Sequence, residues 1–146
     1  MSLAEKMIGT WTLIHYEYPV DGKETYALGE NPTGFLMYNP DGIMSANMMT
    51  SNVRPAYESG DLHFGTEEEM AKAASGYVGY AAQFNIKEVD EENNRLVVEH
   101  TMEVSLNPTW LGNTQERFVT YDPEADTITI TASVNDPKLV WRKVSR

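Results

Sequence analysis

Short runs in which apolar and polar residues alternate, or in which β-branched and aromatic residues gather, recur along nearly the whole chain. They lie at Ile8–Tyr18, Thr33–Asn39, Gly42–Thr50, Gln83–Val89, Arg95–Ser105, Gln115–Asp122, Thr127–Val134 and Lys138–Val144. Turn formers separate them: Asp21-Gly22, Asn39-Pro40-Asp41-Gly42, Asp90 to Asn94, Asp122 to Asp126, and Asn135-Asp136-Pro137. The pattern predicts eight strands. Most connections are short enough for hairpins, so neighbours should run antiparallel in an up-and-down order. Closing such a sheet into a barrel removes its exposed edges.

One segment departs from this period. Thr66 followed by Glu67, Glu68 and Glu69 predicts a capping box, in which the hydroxyl and the third Glu satisfy free amide donors while the acids complement the helix dipole. A helix is therefore expected between the third and fourth strands. Met70, Ala73, Ala74, Tyr77 and Ala81 follow at helical spacing and form an apolar stripe suited to lie across an opening or flank of the barrel. Gly76 and Gly79 interrupt it, each costing about 1 kcal/mol relative to Ala, so the helix either packs closely on a strand or moves as a lid.

The 146 residues suit one domain, expected to span residues 1–146. Without cysteine, the core must hold by packing alone, and thiolate chemistry and Cys-based zinc sites are excluded. A formal charge of -11 with no basic stripe argues against nucleic acid as a partner. Residues Met1 to Thr10 show no signal-peptide pattern and no apolar run is long enough to span a bilayer, so neither a membrane nor secretion is expected. Both apparent sequons, Asn31-Pro32-Thr33 and Asn107-Pro108-Thr109, carry proline in the middle. A cytoplasmic location is the resulting expectation.

Gly9-Thr10-Trp11 resembles the Gly-x-Trp signature of the first strand in lipocalins. With it stand Gly29-Glu30-Asn31-Pro32-Thr33-Gly34-Phe35-Leu36-Met37-Tyr38, Pro40-Asp41-Gly42-Ile43-Met44-Ser45, Ser59-Gly60-Asp61, Glu99-His100, Val104 to Gly112, and Leu139-Val140-Trp141. Together, from Gly9 to Lys143, these resemble the lipocalin-like domain family of small bacterial and fungal proteins. The resemblance implies an eight-stranded antiparallel lipocalin-like barrel around a cavity. It also implies a choice of functions, since that wider group holds both carriers of apolar molecules and enzymes of secondary metabolism that isomerise or cyclise their substrates. The family's closing strand commonly ends Glu-Arg. Here Arg142 and Lys143 stand there, so a lysine is expected to pack near Trp11.

Barrel side chains alternate inward and outward, which assigns faces. Leu96, Val98, His100, Met102 and Val104 share the apolar face of the fifth strand, so His100 is expected inside. If Trp11 and Leu13 point inward on the first strand, His15 and Glu17 follow them. On the sixth strand alternation leaves two faces open, Arg117, Val119 and Tyr121 or Glu116, Phe118 and Thr120, and the first is taken as the inner one because Val and Tyr together outweigh Phe. An inward Arg is costly without an acid or an anionic ligand, so Arg117 either meets Glu17 or the bound molecule, or turns toward the barrel mouth and water. His100 and His15 each read as a hydrogen-bonded core histidine or as a neutral general base, with Glu17 placed to orient His15. A hairpin loop Asn107 to Gly112 would set Arg117 opposite Met102, with His100 diagonally adjacent.

Tyr38, Met37, Met102, Tyr80 and Trp110 are expected to line the cavity as adaptable or stacking groups, together with Ser45, although sequence does not fix the facing of the aromatic residues and each Met also reads as plain core packing. Arg54 is added from the long stretch Ser51 to Gly65, which also holds Asp61 and His63 and is the candidate functional loop. His15, His63 and His100 have no ligand spacing, and Asp90 to Asn94 lacks the glycine and final Glu of a calcium loop, so no metal is expected. No phosphate-cradling glycine loop or Ser-centred elbow is present, and no cofactor is expected. Three functions remain: binding of a small apolar or anionic amphipathic molecule, cofactor-independent isomerisation, cyclisation or dehydration by an inward His and Arg, and a filled-core stress or assembly partner.

Overall fold

A computed structural model describes residues 1–20, 23–25, 28–52, 54–61, 63–132 and 137–145. The expected turns at Asp21-Gly22 and Asn135-Asp136 lie outside these residues, as does the end of the strand expected to reach Val134. The strands are β1 (Gly9–Val20), β2 (Lys23–Thr25), β3 (Thr33–Tyr38), β4 (Ile43–Met49), β5 (Tyr77–Asp90), β6 (Arg95–Ser105), β7 (Thr114–Asp122), β8 (Thr127–Thr131) and β9 (Lys138–Lys143). Each pairs antiparallel with the next around the ring, and β1 closes against β9, with Trp11 opposite Lys143 and Leu13 opposite Trp141. The short β2 pairs with the end of β1 and stands outside the ring, leaving the expected eight-stranded up-and-down barrel.

The two ends of the barrel differ because their connections differ. The β3–β4, β5–β6 and β7–β8 turns are tight and lie together. In the first, Gly42 takes a φ of +90° that L side chains resist, and its N–H bonds to the Asn39 carbonyl at 3.1 Å. A short helix, α1 (Leu3–Met7), closes this end from below. Its Leu3 and Met7 are buried, the Leu3 amide reaches the Glu91 carboxylate at 3.0 Å, and the Trp11 indole donates to the Met7 carbonyl at 3.0 Å. Lys143 meets the expectation for the closing strand. Its ammonium lies 4.6 Å above the Trp11 ring and donates to the carbonyls of Lys6, at 2.7 Å, and Ile8.

The long connections gather at the opposite, open end. Helix α2 (Glu67–Ser75) carries the expected capping box, with Thr66 accepting from the Glu69 amide and Glu69 accepting from the Thr66 amide. It stops sooner than its apolar stripe suggests. Gly76 ends it, its carbonyl accepting from the Thr50 amide at 2.9 Å, and Tyr77 to Ala81 belong to β5, paired with Met49 to Ser45. Tyr77 and Ala81 fit a helical stripe and an alternating strand equally well, and the unpaired amides of β4 select the strand. No residue of α2 is buried, so the stripe does not cover the barrel as expected, and Met70 is exposed. Among the described residues no helix is long and apolar enough to cross a membrane.

Candidate ligand cavity

Two β-bulges decide which side chains reach the barrel interior. On β1 the register against β9 shifts between Leu13 and His15, so Ile14 is the extra residue and the inward parity changes. Trp11 and Leu13 point inward and are buried, after which Tyr16 takes the inner face. His15 is exposed and Glu17 faces β9, 3.9 Å from Lys138. The expected inward His15 and Glu17, and their proposed pairing with each other or with Arg117, are therefore corrected. On β6 the register against β5 shifts at Glu103, which turns Val104 outward to 65% exposure, contrary to the alternation.

Before that bulge the alternation holds. Leu96, Val98, His100 and Met102 are all buried. His100 Nε2 lies 2.9 Å from the Tyr38 hydroxyl, with the Phe84 ring edge-on to Tyr38 at 4.9 Å. Burial chiefly, and the Arg117 charge second, lower the His100 pKa to about 3, so the imidazole is neutral. Its Nδ1 is buried with no partner among the described residues. Burial also pushes the phenols of Tyr38 and Tyr80 above their ordinary value.

Arg117 takes the inner face of β7 with Val119 and Tyr121, while Glu116, Phe118 and Thr120 face out. Its partner across the sheet is Val98, not Met102, and His100 stands opposite Gln115. The register slides because the last residues of β6 have no β7 partner. Met102 instead exchanges backbone hydrogen bonds with Gly112 and Asn113 of the connecting loop, each at 2.9 Å. His100 and Arg117 remain diagonal neighbours. The guanidinium donates to the Gln115 side-chain carbonyl and to the Glu116 backbone carbonyl, and it hydrogen-bonds Tyr80.

The same loop delivers Trp110. Asn107 caps a short 3-10 turn, Pro108–Trp110, by accepting from the Thr109 amide at 3.0 Å, and Pro108 supplies a fixed φ at its start. The Trp110 ring then meets Tyr80 edge-on, centroids 5.5 Å apart. Behind these rings lies a cavity of about 220 Å³ at the open end, walled by Tyr16, Tyr80, Trp110, Val78, Leu139 and Ile130, with Gln115 and Arg117 as polar groups. A second space of about 260 Å³ shares Tyr16, Val78 and Trp110 and opens toward α2 and Leu106.

The remaining expected lining residues lie elsewhere. Met102 and Tyr38 are inside but pack deeper in the core, below the cavity. Met37, the neighbour of Tyr38, is on the outer face by alternation and is 42% exposed. Ser45 is also on the outer face, where it accepts from Asn47 at 3.1 Å. Arg54 lies outside the barrel, packed on Gly76, where a Cβ would come within 2.8 Å of its Cδ, and donating to the Ala73 carbonyl at the end of α2 at 2.9 Å. With Thr50, Tyr57 and Asp61 it borders an open surface groove of about 750 Å³. Several lining residues, among them Gln115, Tyr16, Val78, Ile130 and Leu139, are not among those expected. Gln115 shares its face with Arg117, so alternation could have found it, whereas Tyr16 is hidden by the Ile14 bulge.

Residues 8–144 match the family described as lipocalin-like domain. A protein of Aspergillus oryzae named 4'-hydroxy-3'-methoxypropiophenone carrier protein ppsC is 32% identical over 110 residues, which is 70% of this chain and 98% of that protein. The chain belongs to the lipocalin-like domain family. Membership and the named relative together support small-molecule binding in general.

Proposed function

We propose that this lipocalin-like chain is a carrier, holding one small aromatic molecule in the cavity at the open end of its barrel. The observation that carries the reading is the cavity's composition: about 220 Å³ walled by Tyr16, Tyr80 and Trp110, with Arg117 the only charged residue among the described ones that line it. That volume is below the usual range for drug-sized ligands and suits a single ring with short substituents. The molecule in the relative's name, a phenol ring with a methoxy group and a three-carbon ketone, has this size and this mix of apolar and polar edges. Arg117, Tyr80 and Gln115 would meet the polar end, and the aromatic walls the ring. The space itself disfavours a filled-core structural partner. A cytoplasmic location belongs to this reading.

A second reading, proton-transfer catalysis, has one observation behind it. His100 is neutral, buried and bonded to Tyr38, diagonal to Arg117. Against it, an imidazole with a pKa of about 3 is a weak base at neutral pH, and Tyr38 is a weakened acid. His100 also lies beneath Tyr80 rather than among the lining residues. The carrier reading is the stronger.

Mass spectrometry of solvent extracts from the purified protein, with thermal shifts against single-ring phenols, ketones and carboxylates including 4'-hydroxy-3'-methoxypropiophenone, tests it. A ligand present at one hundred times its Kd adds about 2.7 kcal/mol of stability and a clear rise in Tm. If nothing co-purifies and no member raises Tm, the carrier reading fails. Chemical change of a bound member over time would favour the enzyme.

A further inference from the structure

The charge of Arg117 is unbalanced within its surroundings. Among the described residues no carboxylate lies within ion-pair distance of it, since Glu17, the acid expected to meet it, sits instead beside Lys138. Its partners are neutral: the Gln115 side-chain carbonyl, the Glu116 backbone carbonyl and the Tyr80 phenol. Arg117 is partly buried, and its guanidinium has more donors than these acceptors fill and keeps its charge whatever covers it.

The groups around it do not compensate. His100 on β6 is neutral, Tyr38 on β3 and Tyr80 on β5 hold their protons, and Tyr16 on β1 lies close enough to Tyr80 to raise its pKa. The inner end of the cavity is thus a single fixed cation among hydroxyl and amide groups, beneath aromatic walls. The chain's -11 charge does not cancel this. At physiological salt, exposed charges farther than about 8 Å are largely screened, whereas a ligand atom touching Arg117 is not.

We infer that the ligand is a single-ring aromatic anion, a carboxylate or an acidic phenol bound as its phenolate, with the charged oxygen against Arg117 and the ring against Tyr80 and Trp110. The inference rests on the carrier reading and sharpens it from any small aromatic to one charge state. An anionic oxygen supplies the missing acceptor through charge-assisted hydrogen bonds, roughly twice as strong as neutral ones. A neutral ligand of the same shape would cover the guanidinium and leave it unsatisfied.

The test compares two ring anions with their uncharged methyl derivatives: 4-nitrophenol with 4-nitroanisole, and 4-methoxybenzoate with its methyl ester. Because 4-nitrophenol turns yellow on ionising, its absorbance reports the charge state of the bound molecule directly. Each anion should bind at least about tenfold more tightly than its neutral partner, and bound 4-nitrophenol should ionise at least about one pH unit below the free compound. Arg117→Gln, checked for folding by circular dichroism, should erase both differences. If that variant does not fold, the ionisation shift in the unaltered protein decides alone.

Equal or tighter binding of the neutral compounds, or an unmoved ionisation, would overturn the inference while leaving the carrier reading intact. If none of the four binds but a co-purified compound that is not a ring anion does, the inference again falls alone. If nothing binds at all, the carrier reading falls with it. A preference for only one of the two anions would identify which oxygen acid the cation serves.

Discussion

The Tyr38 hydroxyl and His100 Nε2 stand 2.9 Å apart across the barrel interior, joining β3 to β6 well away from either strand's own neighbours. Burial and the Arg117 charge hold the imidazole neutral, and the bond fixes its place at the inner end of the cavity beneath Tyr80. Its environment makes stability depend on pH. Below about 6.5 the unfolded chain takes up a proton that the folded chain refuses until about 3. Stability should therefore fall as pH drops through that window, by roughly 1.4 kcal/mol per unit from this group. Urea unfolding between pH 7 and 5 on the protein and on His100→Gln measures it. Equal slopes in the two proteins would show that His100 titrates normally.

Removing the hydroxyl alone is a separate matter. Tyr38→Phe keeps the ring packed on Phe84 but leaves a buried His100 nitrogen without its partner. A loss of about 1–3 kcal/mol is expected in denaturant titration. No loss would mean that the bond contributes nothing net.

At the closed end, Trp11→Ala should cost roughly 3–5 kcal/mol, as expected for a large ring that is 1% exposed. Lys143→Met should cost about 1–3 kcal/mol through the lost hydrogen bonds to Lys6 and Ile8 and the lost contact with the ring, while Lys143→Arg should retain most of the stability. Thermal unfolding of the three variants checks the ranking. A Lys143→Met protein as stable as the unaltered one would mean that these contacts do not hold α1 to the barrel.

Thr66→Ala tests the open end. The capping box is formed, but α2 buries no side chain, so the expected loss of about 1 kcal/mol is local to the helix rather than to the barrel. Amide hydrogen exchange should speed up at Glu69 and Met70 while the β6 amides stay protected. Slower or unchanged exchange in α2 would mean the cap does not hold it.

How far the sequence disclosed this arrangement depended on whether each strand kept its period. The first part of β6 alternates without interruption, so the inward setting of His100 was legible. β7 alternates too, but both of its faces carry apolar residues, so alternation left Arg117 open and only the weight of Val119 and Tyr121 against Phe118 favoured its inward setting. The Ile14 and Glu103 bulges each insert one residue, and nothing in the local sequence marks them, so His15, Glu17 and Val104 were assigned to the wrong face. The four-residue slide between β6 and β7 has a tertiary cause, the loop strand at Gly112 and Asn113 that pairs with Met102. Tyr77 and Ala81 fit two periods at once, and only the paired amides of β4 distinguish them. The partnership of Tyr38 with His100 spans 62 residues and follows from barrel closure, not from any motif.

Arg117→Met separates ligand recognition from folding. Its guanidinium is part-buried and bonded to neutral groups, and Glu17 is held by Lys138, so no carboxylate among the described residues is stranded by the change. Stability should shift by less than about 1 kcal/mol, within the range of ordinary substitutions. Affinity for 4-methoxybenzoate should fall at least about tenfold by calorimetry. Unchanged affinity with a large stability loss would make Arg117 a structural residue.

Binding inside the open end of the barrel is tested most directly by the indole N–H signals of the protein's tryptophans in a two-dimensional NMR titration with the same single-ring compounds. Trp110 lines the cavity, whereas Trp11 is sealed at the closed end with its N–H bonded to Met7. The Trp110 signal should move progressively to saturation while the Trp11 signal stays in place. A Trp110 signal that no compound moves, or a shift confined to Trp11, would contradict ligand binding in this cavity.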